Sequence, residues 1–116
     1  MTNVQIFGVK NSSGTRAAER FFRERRIPIQ MVDLKQKPMS AGEIKRFIDK
    51  YKFVNLIDRE GKAFVDSGLA YMTLSETSFL AKIEQEPKLL KLPLVRCGKM
   101  LSIGQDEAAW KEMASS

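Results

Sequence analysis

Histidine is absent from this 116-residue chain and cysteine occurs once, at Cys97. The first absence removes the commonest general base near neutral pH and the commonest side-chain metal ligand together. The second excludes an internal disulfide, a cysteine-based metal cluster and a two-thiol relay, so no metal is expected. No apolar run approaches the ~20 residues of a membrane span, and the first residues lack a basic-then-apolar leader. A cytoplasmic protein with no membrane partner is therefore the expectation. Internal repeats, linkers and low-complexity segments are missing too.

What is present is ordinary globular material: 43% hydrophobic and 29% charged residues, enough for one domain over 1–116 with a core of its own. The net charge is +6 and the isoelectric point about 9.6. Cations gather in Lys10, Arg16, Arg20, Arg23, Arg25 and Arg26, and again in Lys88, Lys91, Arg96 and Lys99. This could be an anion-binding face, for an acidic protein or a phosphate-like ligand, or simply a solvated helix face. Glu19 and Glu24 interrupt the cluster and no aromatic-basic signature accompanies it, so nucleic acid is not expected.

Periodicity alternates along the chain. Val4, Ile6 and Phe7 form a short strand closed by Gly8, and the polar run Asn11-Ser12-Ser13-Gly14-Thr15-Arg16 leads into a helix from about Ser13. Ala17, Ala18, Phe21 and Phe22 make its apolar stripe, with Arg16, Arg20 and Arg23 off it. Ile27-Pro28 ends that helix, and Ile29, Met31 and Val32 give a second strand. Ser40 with Glu43 is a capping box before a helix carrying Ile44, Phe47, Ile48 and Tyr51. From 53 to 91 the pattern is less regular. Gly61 and Ser67-Gly68 read as turns, Leu56-Ile57 and 69–72 as short helical pieces, and Thr73 with Glu76 as a second capping box opening a helix through Phe79, Leu80 and Ile83. Leu92-Pro93-Leu94-Val95 enters a strand, Cys97-Gly98 reads as a tight turn, and 99–103 returns antiparallel. Gln105 or Asp106 caps a final helix with Ala109, Trp110 and Met113. The order is β-α-β-α, a helical block, then β-β-α. It predicts an α/β protein with a four-stranded mixed sheet flanked by helices, the early strands parallel and the last two a hairpin.

That order, with proline at the start of the third strand, is the thioredoxin-like arrangement. Locally, 9–16 resembles the active loop of the arsenate reductase (ArsC), Spx and YffB family. Lys37-Pro38-x-Ser40-x-x-Glu43, Asp58-Arg59-Glu60-Gly61, Leu92-Pro93-Leu94-Val95 and Gly98-Lys99-x-Leu101 are similar to later blocks of that family in the same order. The resemblance implies an ArsC-like fold with an all-helical insertion at about 53–91, and Pro93 as a cis-proline facing the active loop. It also implies a family whose nucleophile is a cysteine in that loop.

By this resemblance the nucleophile's place falls on Ser12, or on Ser13 with an offset of one, and the second cysteine of Spx-like members falls on Thr15. The arginine that precedes the cis-proline in the reductases is matched by Leu92, and a further family arginine falls at Phe64-Val65. A cysteine at a helix N-terminus works because unpaired N–H groups and the helix dipole favour its thiolate. Serine there forms no disulfide, and its hydroxyl needs a base that an all but surface-bound Lys10 would have to supply.

Lys10, Ser12, Ser13, Gly14, Thr15 and Arg16 are accordingly the candidate anion-binding residues, for a small oxyanion or glutathione, with Ser12 or Ser13 as a plain helix cap the simpler role. The expected function is a catalytically degenerate family member, a binding or regulatory protein, with a protein partner on the Arg16, Arg20 and Arg23 face and no obligate cofactor; whether it is an enzyme is left open by the sequence. The alternative is a glutathione-dependent thiol oxidoreductase of the arsenate reductase kind, should position 12 be a replaced cysteine.

Overall fold

The computed structural model describes residues 3–68 and 74–115. Its elements are β1 (Val4–Gly8), α1 (Ser13–Glu24), β2 (Ile29–Asp33), α2 (Ala41–Tyr51), α3 (Lys62–Ser67), α4 (Glu76–Gln85), β3 (Leu94–Cys97), β4 (Met100–Ile103) and α5 (Glu107–Ala114), with 3-10 turns at Phe53–Leu56 and Pro87–Leu89. The sheet order is β2-β1-β3-β4. β1 and β2 are parallel in the register Val4↔Ile29 to Gly8↔Asp33, β1 and β3 are antiparallel, and β3 and β4 form a hairpin. This is the thioredoxin-like mixed sheet predicted from the order of elements.

Backbone contacts divide the chain into two units, 1–37 with 92–116, and 38–91. In the first unit one sheet face carries Val4, Ile6, Val95 and Cys97, with Ile29, Met31 and Met100 partly buried beside them. Onto it pack Ala18, Phe21 and Phe22 of α1 and Trp110 and Met113 of α5. The spacing of Ala18, Phe21 and Phe22 places all three on one stripe, and Phe21, Phe22 and Trp110 stand with ring centroids 5.1 to 6.2 Å apart. Each buried aromatic contributes on the order of 2–3 kcal/mol of burial.

The second unit holds α2, α3, α4 and both 3-10 turns. Its interior is Ile44, Phe47, Ile48, Leu56, Ile57, Phe64, Phe79, Leu89 and Leu90. The Ser40 cap is present, its Oγ accepting from the Glu43 N–H at 3.2 Å. Two expectations are corrected here. Of the Leu56-Ile57 piece, Leu56 ends a 3-10 turn as expected, but Ile57 is extended and bridged antiparallel to Leu90, held by the Asp58 N–H to Leu89 carbonyl and the Lys91 N–H to Leu56 carbonyl bonds. Gly61 and Gly68 turn the chain as expected, and they bracket a short helix, α3, as its N-cap and left-handed C-cap. The N-cap of α4 is Ser75, which accepts from the Ser78 N–H at 3.1 Å, where the sequence suggests Thr73. Thr73 and the 69–72 piece lie outside the described residues. No helix among the described residues is long and apolar enough to cross a membrane.

Candidate functional site

β1 ends at Gly8, and α1 begins five residues later, so 9–12 must reverse the chain over a short span. Val9 is buried and its carbonyl accepts from the Ser12 N–H at 3.1 Å, which closes the turn through exposed Lys10 and Asn11. Ser12 is the N-cap of α1: its backbone is extended (φ −89°, ψ 122°) and its Oγ accepts from the Thr15 N–H at 3.2 Å. The Arg16 N–H donates to the Ser12 carbonyl at 3.1 Å, the first bond of the helix proper. Among the described residues the N–H groups of Ser13 and Gly14 have no hydrogen-bond partner, and both stand at the positive end of α1.

Two glycines let this terminus sit close to the sheet. A Cβ on Gly8 would collide with the Thr15 side chain, striking its Oγ1 and lying 2.6 Å from its Cγ2. A Cβ on Gly14 would lie 2.6 Å from the Leu92 carbonyl oxygen and 3.2 Å from Pro93 Cδ. The Leu92–Pro93 peptide bond is cis. The residues the sequence singled out as loop and proline therefore meet: α1's first turn rests on the backbone that enters β3.

The six candidates are not equivalent. Lys10, Ser13 and Arg16 are exposed, and among the described residues Arg16 has no ion pair or hydrogen bond through its guanidinium. Ser12 is half-buried with one lone pair already in use by the cap. Thr15 is turned inward, only 1% exposed, with Oγ1 against Gly8 and no hydrogen-bond partner among the described residues. Its hydroxyl belongs to the underside of the helix and leaves the set of groups facing solvent. Sequence reasoning grouped it with Ser12 and Ser13 because all three carry hydroxyls; the signal that separates it is its place on the stripe with Ala18 and Phe22.

Cys97 is not in the hairpin turn, which is formed by Gly98 (φ 62°) and Lys99. It is the last residue of β3, 6% exposed, with Sγ 3.9 Å from the Met113 carbonyl oxygen. Its register partner is Val4 at the start of β1, so it lies about 13 Å from the end of that strand where Ser12 follows, at ~3.3 Å per residue. Arg96 is likewise removed from the loop: it pairs with Gln5, donates from Nη1 to Gln5 Oε1 at 3.0 Å and from Nε to the Gly98 carbonyl at 3.1 Å. Phe64 is buried and Val65 is 68% exposed, and neither offers a cation. Among the described residues no group of three or more His, Cys, Asp or Glu side chains could hold a metal ion.

The family model described as ArsC family matches residues 7–113. The chain belongs to the ArsC family. Solved structures agree on the fold. A YFFB protein is 17% identical, with 96% of this chain and 98% of that one covered at a TM-score of 0.83. An arsenate reductase from Vibrio cholerae is 19% identical over 97% and 98% of the two chains, with a TM-score of 0.79. An arsenate reductase (ArsC) related protein from Brucella melitensis is 20% identical over 95% and 92%, with a TM-score of 0.70. A sequence comparison with curated proteins finds no significant match.

Proposed function

We propose that this ArsC-family chain is a catalytically degenerate member, a binding or regulatory protein that keeps an oxyanion site at the N-terminus of α1 and uses it without thiol chemistry. The observation that carries the reading is the occupant of that terminus. A serine hydroxyl caps the helix there, and the one cysteine of the sequence is buried at the far end of the strands. On this reading Ser12 stands where the family places its nucleophilic cysteine. Its oxygen forms no bond that a thiol could later exchange, and the chain has no histidine to take its proton.

What the terminus offers instead is recognition. The unpartnered N–H groups of Ser13 and Gly14, the helix dipole, and the exposed cations of Arg16 and Lys10 are a donor set for a tetrahedral oxyanion or a carboxylate such as those of glutathione. The Arg16, Arg20 and Arg23 stripe, of which Arg23 alone is ion-paired among the described residues (to Glu19, 3.5 Å), supports an acidic protein partner as the second element of this reading. A glutathione-dependent reductase would need a sulfur at position 12 and has no observation in its favour.

Isothermal titration with phosphate and with arsenate tests the site. Saturable binding is expected, weakened about tenfold or more in Arg16→Ala, the loss of a hydrogen bond to a charged group costing about 1.5–3 kcal/mol. Equal affinity of wild type and Arg16→Ala, or no binding at millimolar anion, removes this loop as the site.

A further inference from the structure

The sheet has two outer edges, β2 and β4, and their chemistry differs. On β2 the Val4 N–H donates to the Pro28 carbonyl at 3.3 Å and the Leu34 N–H to the Gly8 carbonyl at 2.9 Å. In a parallel ladder this phase turns the backbone groups of Gln30 and Val32 toward β1 and those of Ile29 and Met31 outward. The side chains of Ile29 and Met31 pack partly on the core, and no charge stands between Ile29 and Val32. The strand thus carries none of the lysines within its length that usually blunt an edge.

Charge is placed at its two ends instead. Arg26, exposed and with φ 58°, comes just before the Ile27-Pro28 entry, and exposed Lys35 and Lys37 follow the exit. The strand's one acid, Asp33, is turned back on its own chain: Oδ1 accepts from the Lys35 N–H at 3.0 Å, and its carbonyl accepts from Gln36 and Lys37 at 3.0 and 2.9 Å. Arg25 is set apart, its guanidinium bonded to the Phe21 carbonyl at 3.1 Å and stacked 3.6 Å over that ring. β4, by contrast, is followed by Asp106 and Glu107.

We propose that the outer edge of β2 is a docking site for an extended acidic segment of a partner protein. The segment would add as a fifth strand on the outward backbone groups of Ile29 and Met31, with its carboxylates meeting Arg26 at one end and Lys35 and Lys37 at the other. A second copy of this chain is the wrong occupant. Antiparallel pairing about Met31 brings Arg26 of one copy toward Lys35 and Lys37 of the other, like charge against like.

The test is an NMR titration of the full, 15N-labelled chain with the probe peptide Asp-Glu-Val-Thr-Val-Thr-Glu-Asp and with its counterpart carrying lysine at the four acidic places. Shift changes centred on 27–34, slowed exchange of the Ile29 and Met31 amides, and at least tenfold weaker binding of the lysine peptide are expected. No shifts, equal shifts with both peptides, or shifts on the Arg16, Arg20 and Arg23 face overturn the proposal. A second variant makes the edge self-complementary. Lys35→Glu with Lys37→Glu should sediment as a dimer where wild type is a monomer. A doubly substituted chain that keeps the wild-type far-UV spectrum but stays monomeric, or a wild type already dimeric through β2, also overturns it.

Discussion

Gly14 sits in the first turn of α1 at a place where alanine would ordinarily help a helix by about 1 kcal/mol. Here the added methyl meets the Leu92 carbonyl oxygen at 2.6 Å, and a backbone oxygen entering β3 has nowhere inexpensive to go. Gly14→Ala is expected to lower stability by about 1–3 kcal/mol, read as a fall in the urea midpoint, because crowding a packed contact outweighs propensity. Thr15 poses the opposite case. Its buried hydroxyl has no partner, so Thr15→Val, which keeps the shape against Gly8, should leave stability unchanged or raise it by about 1 kcal/mol. A clear loss of stability in Thr15→Val would mean that the hydroxyl is bonded after all. Neither contact was legible in the sequence. Gly8 and Gly14 could be seen as glycines near a turn, but the Leu92 approach joins residues far apart in the chain, and no local pattern encodes it.

At the scale of elements, the helices with a polar cap and an apolar stripe were legible because both signals are local. Ser12, Ser40 and Asp106 each accept from an N–H three residues on, in α1, α2 and α5. The misreadings came where one local signal fits two structures. Thr73 and Ser75 both stand ahead of the Phe79 stripe in sequence, and the N-cap of α4 is Ser75, accepting from the Ser78 N–H. Gly61 and Gly68 were legible as turns, but the six residues between them are too few to show the helical periodicity of α3. Ser75→Ala should cost about 1 kcal/mol, measured by chemical denaturation. Cys97 was placed in a turn because Gly98 follows it; the turn is two residues long and leaves the thiol in the strand.

For the whole molecule, the mixed sheet was legible from element order alone, since a helix between two strands permits parallel pairing and a two-residue turn enforces antiparallel. The candidate loop was legible because it is contiguous. What separates it from Cys97 is strand register, which no sequence pattern displays: Cys97 opposes Val4, and the loop follows Gly8. Burial at that position predicts that a thiol reagent such as DTNB modifies Cys97 slowly in the native protein and at once in denaturant.

The proposed function requires the α1 terminus to bind anions with no sulfur there to transfer electrons. A glutathione-coupled arsenate reduction assay on the wild-type chain tests this most directly. The expected result is turnover no faster than glutathione alone. Saturable arsenate reduction by the wild-type protein would contradict it.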